Sequence, residues 1–129
     1  MKATEMPVSK HVANFITKLV IIGLICAIVL PNFSMLTIND SLVTALVLAL
    51  IAYAVGDLFI LPAYGNPTAT VADAVLSAVV IYIADLVVNG AMTLSALGWI
   101  LAIGIIALGE WFFHRYLKIT PAPVKEDMQ

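Results

Sequence analysis

The chain has 129 residues, of which 63% are hydrophobic and only 11% are charged, and its formal net charge is −2. Soluble domains carry about 25% charged residues, so a water-soluble fold of this composition would expose large apolar patches and aggregate. A nucleic-acid partner would require a basic face, which this sequence does not supply. We therefore predict an integral membrane protein whose surroundings are the lipid bilayer.

Four apolar stretches are each long enough to cross the roughly 30 Å of bilayer hydrocarbon as a helix of about 20 residues. They are predicted at residues 11–30, 41–61, 67–88 and 94–117. The residues that set their ends are Pro31, Asp40 or Ser41, Pro62, Pro67 and Thr93 or Ser95. Residues 1–119 are thus predicted to form one four-helix transmembrane domain, and the polar residues 120–129 a disordered cytoplasmic tail.

Positively charged residues predict the orientation of these spans. They flank the first and fourth spans, at Lys2, Lys10, Lys18, Arg115, Lys118 and Lys125. The loops around Asp40 and Asn89 contain no lysine or arginine, and such loops favour the outer side of a membrane. We therefore predict an all-α integral membrane four-helix bundle with antiparallel up-down topology and both termini in the cytoplasm.

Each span also carries one ionisable residue near its predicted cytoplasmic end. These residues are Lys18, Asp57, Asp73 and Glu110. At 1.5 Å per residue they lie roughly 6–11 Å below one membrane surface. Ionisable groups are rare in hydrocarbon and usually face a partner or a watery cavity. We predict that the four form an ion- or proton-binding site.

Five neighbouring residues are predicted to support this site: Gly56, Thr70, Asn14, Ser77 and His114. Gly56 leaves room for close approach beside the site. Thr70 and Ser77 lie one turn either side of Asp73 and are expected to bond to its carboxylate. Asn14 lies one turn from Lys18, and His114 is expected to pair with Glu110 four residues earlier.

Charge balance carries the functional prediction. Three carboxylates and one ammonium leave two negative charges in a layer of low dielectric, and a buried site of this kind takes up a proton or binds a cation. We predict a cation- or proton-handling protein, either a transporter or a channel subunit, with no catalytic activity and no cofactor apart from a bound cation of unspecified identity. Because four helices are few for a private pathway, a homodimer is expected.

Other interpretations stay open at this point. Lys18 and Glu110 could extend to the nearby membrane surface, and Asp85 is expected at the membrane interface. Asp57 and Asp73 could be structural and pair with Lys18 and backbone groups to lock the hairpin of the second and third spans. The chain would then be a non-catalytic structural or regulatory membrane partner. An intramembrane aspartyl protease is disfavoured because Ala54 stands where the Gly-x-Gly-Asp pattern has its first glycine.

Two segments resemble the YndM-like family of small bacterial membrane proteins. The first is 56–62, with sequence GDLFILP, followed by Gly65-Asn66, Ala69-Thr70 and Ala72-Asp73. The second is 109–116, with sequence GEWFFHRY, which is similar to the C-terminal signature of that family. Lys18 matches a basic position in its first helix. The resemblance implies a multi-pass protein of the bacterial cell membrane and implies no activity.

Overall fold

The computed structural model describes residues 7–117, and in this range the fold is entirely helical. The helices are α1 Val8–Phe33, α2 Ile38–Tyr64, α3 Asn66–Asn89 and α4 Ala96–Leu117. All four are long and apolar enough to cross a membrane, so the predicted all-α fold with four membrane-capable helices is confirmed. The predictions for Lys2, Lys118, Lys125 and residues 120–129 lie outside the described residues.

The helices pack around a central apolar layer. α1 lies against α2 and α4, and α3 lies against α4 and α2. The buried residues of this layer are mostly aliphatic or small: Ile22, Cys26, Val29, Leu30, Leu36, Ala45, Leu48, Ala49, Ala52, Ile81, Leu94, Ala102 and Ile106. Small residues on α2 and α4 allow the close helix contacts that stabilise bundles in lipid.

Two prolines lie inside helices instead of ending them. α1 continues through Pro31 to Phe33, and the backbone N–H of Ser34 closes its last turn. α2 continues through Pro62 to Tyr64. A proline near a helix end removes only one backbone hydrogen bond, so both helices run past the ends predicted from their prolines.

The caps of α2 and α3 also differ from a simple reading of the sequence. Thr37, not Asp40 or Ser41, is the N-cap of α2, and Asp40 completes a capping box with it. Gly65 joins α2 to α3 with a φ of 89°, and Gly90 ends α3 with a φ of 73°. Glycine adopts these positive φ values at little steric cost, which permits such abrupt turns.

The second half of α2 is wider than an α-helix. Residues Ala52–Ile60 are π-helical, and the N–H of Leu61 donates to the carbonyl of Gly56, five residues earlier. Short π segments are rare and frequently accompany functional sites. This segment carries Tyr53 and Asp57, both of which are buried.

Asp85 fixes the connection between α3 and α4 and is fully buried there. One carboxylate oxygen accepts the backbone N–H groups of Thr93 at 2.6 Å and Leu94 at 2.9 Å. The other accepts from the side chains of Asn89 at 2.7 Å and Thr93 at 2.8 Å. Asp85 thus has a structural role, because four donors enclose the carboxylate, and its position at the membrane interface stays a prediction.

Replacing Asp85 by alanine should destabilise the fold, because it leaves backbone donors of the α3–α4 connection without an acceptor. The loss in free energy of unfolding should be about 2 kcal/mol, measured by denaturation in detergent micelles. Asp40→Ala is the control, since this acid accepts a single backbone N–H, from Thr37. Equal losses in the two variants would contradict the structural role of Asp85.

Candidate functional site

The four ionisable residues predicted from sequence meet inside the bundle, with Lys18 between the acids. The Lys18 ammonium donates to Asp57 Oδ2 at 2.6 Å and to Glu110 Oε1 at 2.7 Å. It lies 3.6 Å from Asp73 Oδ2. All four residues are at most 2% exposed. Extension of Lys18 or Glu110 to the membrane surface is thus contradicted. We call these four residues and His114 the buried cluster.

Phe113 forms part of the wall of the buried cluster. Its ring centroid lies 5.0 Å from the Lys18 ammonium, a distance at which the aromatic face attracts a cation. The ring is 2% exposed, whereas the neighbouring Trp111 and Phe112 are exposed. Phe113 lies three residues after Glu110, so it shares the inward face of α4 with that acid.

His114 joins the buried cluster from the same face of α4, but its closest partners are not the predicted one. Its Nε2 lies 2.8 Å from Asp57 Oδ1 and 2.9 Å from Asp73 Oδ2. The distance to Glu110 Oε1 is 3.9 Å. The i,i+4 spacing correctly places the two side chains near each other, but the imidazole points across to α2 and α3.

The contacts of the two ring nitrogens of His114, Nδ1 and Nε2, indicate where its protons lie. Asn66 Oδ1 is 2.8 Å from Nδ1, and the amide is oriented by donation from its Nδ2 to the carbonyl of Trp111 at 3.2 Å. Because an amide oxygen only accepts, Nδ1 carries a hydrogen. Nε2 faces two carboxylate oxygens, so a second proton must lie between it and Asp57 or Asp73.

Gly56 allows the Asp73 carboxylate to reach this position. A Cβ atom on residue 56 would overlap the carboxylate oxygen and carbon of Asp73. The space predicted beside Asp57 is therefore used by an acid from α3. The absence of a side chain at residue 56 thus permits both the close approach of α2 and α3 and the proximity of Asp57 and Asp73.

The remaining supporting residues act differently from the prediction. The Thr70 hydroxyl donates to Asn66 Oδ1 at 2.9 Å and lies 3.2 Å from His114 Nδ1. The Ser77 hydroxyl donates to the backbone carbonyl of Asp73 at 2.7 Å. Neither bonds to the Asp73 carboxylate, because hydroxyls within helices readily bond to the preceding turn. Asn14 is buried one turn from Lys18, on the same stripe of α1.

Two polar residues near the buried cluster are missing from the sequence prediction. These residues are Asn66 and Tyr53. Tyr53 is 7% exposed, and its hydroxyl lies 3.0 Å from His11 Nδ1. The signal for Asn66 is its spacing, since Asn66, Thr70 and Asp73 recur on one face of α3.

The buried cluster has more acceptor capacity than its donors fill. Two buried oxygens, Asp73 Oδ1 and Glu110 Oε2, receive no hydrogen bond from the described residues, and the one donor near Asp57 Oδ1 is His114 Nε2 at 2.8 Å, which Asp57 shares with Asp73. With Lys18 and His114 both positive, three carboxylates still leave one negative charge. Uncompensated buried charge of this kind is costly. Uptake of a proton or a cation would remove the excess.

The cluster also has the donor types of a metal site. One ligand atom from each of Asp57, Asp73, Glu110 and His114 lies within 4.8 Å of the others. Carboxylate and imidazole ligands suit several divalent metals. However, the Lys18 ammonium already contacts two of these acids, so a metal ion would compete with it for the same oxygens.

Comparison with known proteins places the chain in a family. The family described as "Protein of unknown function (DUF2512)" matches residues 9–127. Because this match covers nearly the whole chain, the chain belongs to that family. No curated protein and no solved structure matches it.

Gly56→Ala should disturb the buried cluster, because the added methyl group overlaps the Asp73 carboxylate. We expect a lower thermal unfolding temperature in detergent, with a loss of about 1–3 kcal/mol typical of overpacked interiors. Gly104→Ala is the matched control on α4, since a Cβ there meets no atom within 4 Å. It should be neutral or slightly stabilising. A tolerated Gly56→Ala would contradict the close approach of α2 and α3.

Proposed function

We propose that this member of the DUF2512 family is a small multi-pass membrane protein that binds and releases protons at the buried cluster and carries them across the membrane. One observation carries the proposal: three buried carboxylates converge on Lys18 and His114 and leave two oxygens, Asp73 Oδ1 and Glu110 Oε2, without a donor among the described residues. Interacting acids of this kind titrate as a unit. Such a site can exchange a proton with little structural change.

The position of Lys18 favours a proton over a metal ion. Its ammonium lies 2.6 Å from Asp57 and 2.7 Å from Glu110, so it already supplies a fixed cation to the buried cluster. A metal ion would have to displace it and would need further space. A proton needs neither, because it adds to an existing oxygen or shares the gap beside His114 Nε2.

We also propose the setting of this activity. The protein lies in the bacterial cell membrane, its helices run alternately up and down, and both termini are cytoplasmic. Lys10 and Arg115, which are exposed on α1 and α4, support this orientation under the positive-inside rule. We propose that the protein is a homodimer without enzymatic activity and that it is a YndM-like protein.

A second candidate function is a non-catalytic structural or regulatory membrane partner. The buried cluster joins all four helices through Lys18, Asp57, Asp73 and Glu110, and polar networks of this kind can specify how a bundle packs. This alternative predicts that neutral variants fail to assemble with a partner while the wild type exchanges no proton. A measurement of proton exchange by the wild type therefore distinguishes proton transport from the structural or regulatory role.

Infrared titration and flux measurements test the proposal. A protonated carboxylic acid has a C=O absorption that a carboxylate lacks, and we expect this band to appear and disappear with pH in the wild type. Asp57→Asn and Asp73→Asn should reduce both the band and proton flux into proteoliposomes, because each removes an exchanging oxygen. Asp40→Asn, which neutralises an acid at the start of α2, is the control and should change neither the flux nor the part of the band that persists at neutral pH.

Two results would count against the proposal. Flux that is the same in the wild type, Asp57→Asn and Asp73→Asn would remove the transport function. Flux of a divalent metal with no titrating carboxylic acid would replace the proton by a metal ion. Lys18→Met helps to separate these results, because removal of the internal cation should strengthen metal binding by the acids.

A further inference from the structure

We infer that, in the conformation described, the buried cluster exchanges protons through one end of the bundle only, along a relay in which His114 and Thr70 transfer the proton and Asn66 orients them. This inference rests on the proposed function and deepens it. The end concerned is the turn at Gly65 that joins α2 to α3, which we call the hairpin end. The relay makes the protein a carrier with access from one side, not an open channel.

The relay is a continuous chain of short polar contacts. His114 Nε2 lies 2.9 Å from Asp73 Oδ2 inside the buried cluster. On the other side of the ring, Nδ1 lies 2.8 Å from Asn66 Oδ1 and 3.2 Å from the Thr70 hydroxyl. Asn66 and Thr70 are partly exposed, whereas His114 is buried. In release, a protonated Asp73 gives its proton to Nε2 while Nδ1 gives its own to the Thr70 hydroxyl oxygen, whose original proton passes outward; uptake is the reverse. Asn66, whose amide oxygen only accepts, orients His114 and Thr70 and carries no proton.

The opposite direction from the buried cluster is closed by apolar side chains. Asp73 and Asp85 are twelve residues apart on α3, which corresponds to about 18 Å along a helix. The buried apolar side chains in this interval of the bundle include Ile22, Cys26, Leu48, Ala49, Ile81, Ala102 and Ile106. The apolar side chains of this layer offer no group that could accept a proton.

The buried hydroxyls on that side do not bridge the gap. Ser77 donates to the backbone carbonyl of Asp73 at 2.7 Å. Ser41 and Thr44 donate to backbone carbonyls in the first turns of α2, both at 2.7 Å. Each hydroxyl is thus used locally. Within residues 7–117, no chain of side-chain hydrogen bonds connects the buried cluster with Asp85.

A second polar pair also lies near the buried cluster. His11 Nδ1 is 3.0 Å from the Tyr53 hydroxyl, and His11 is partly exposed. However, none of the described side-chain hydrogen bonds joins either residue to a cluster carboxylate or to Lys18. This pair therefore serves as a matched comparison: it has the chemistry of a relay without the continuous connection that the His114 relay has.

Among residues 7–117, the ionisable groups that form ion pairs with His114 belong to the buried cluster. Asp57 on α2 and Asp73 on α3 contact its Nε2, and Glu110 on α4 is 3.9 Å away. Lys18 on α1 contacts all three acids. A proton that arrives at His114 therefore reaches the whole cluster by short transfers. Passage to the other side requires the apolar layer to rearrange.

The relay is tested by the rate at which the buried cluster gains a proton after a rapid drop in pH. The probe is the infrared band of the protonated carboxylic acid, and the variant is Asn66→Leu with Thr70→Val, which leaves all five cluster residues in place. We expect exchange to slow by roughly tenfold or more, while the band at equilibrium is retained. Tyr53→Phe is the control and should keep the wild-type rate.

These rates separate the relay from the proposed function. If the double variant exchanges as fast as the wild type, or if Tyr53→Phe slows exchange equally, the relay is wrong although the cluster still binds protons. If the wild type has no titrating band at equilibrium, the proposed function and the relay both fail. A retained equilibrium band in the double variant shows that the cluster is folded.

Sidedness is tested in vesicles that hold the protein in one orientation, selected by an N-terminal affinity tag that binds only when it is outside. In the proposed topology the tag and the hairpin end lie on the same side. Acidification of the outer solution should therefore protonate the cluster promptly when the tag is outside, and only slowly, without an added ionophore, when it is inside. Equal responses in the two populations would overturn access from one end.

Discussion

The structure depends on the stabilisation of the buried Lys18 ammonium by acids from the three other helices. An ammonium or a carboxylate alone in a low-dielectric interior is strongly unfavourable, and Lys18 is 1% exposed. Its ammonium is stabilised only because α2, α3 and α4 each bring an acid to it. No pair of helices could meet this requirement alone, so the position of every helix is linked to the position of one nitrogen atom. The same link makes the protonation state of the cluster a property of the whole bundle.

Local features around the buried cluster follow from the need to bring these groups together. Gly56 lets the Asp73 carboxylate approach α2, and the π-helical segment Ala52–Ile60 carries both Gly56 and Asp57. Away from the cluster the bundle is held by aliphatic packing, and Asp85 closes the far connection with its own set of donors. The two buried acids of α3 thus differ in their donors. The Asp85 carboxylate accepts four hydrogen bonds, whereas Asp73 Oδ1 receives none from the described residues.

The sequence was sufficient to predict the four helices and the meeting of Lys18 with the three acids. Hydropathy gives the helices, and counting residues from the ends of each span places the charges at one depth. It was not sufficient to predict their partners. His114 faces Asp57 and Asp73, Thr70 and Ser77 do not bond to the Asp73 carboxylate, and Phe113 is buried. Residue spacing does not predict these contacts, because each depends on the rotation of a helix about its axis. The π segment was missed as well, since nothing in the composition of residues 52–60, which are apolar apart from Asp57, distinguishes a π-helical from an α-helical backbone.

Solid-state NMR of the protein in lipid bilayers tests the central claim most directly. The measurement is the dipolar coupling between nitrogen-labelled lysine ammonium groups and carbon-labelled carboxyl groups, with Lys18→Met as the reference that identifies the Lys18 signal. The account predicts strong coupling of the Lys18 ammonium to carboxyl carbons of both Asp57 and Glu110. A Lys18 ammonium that is coupled to no carboxyl group and exchanges freely with water would contradict it.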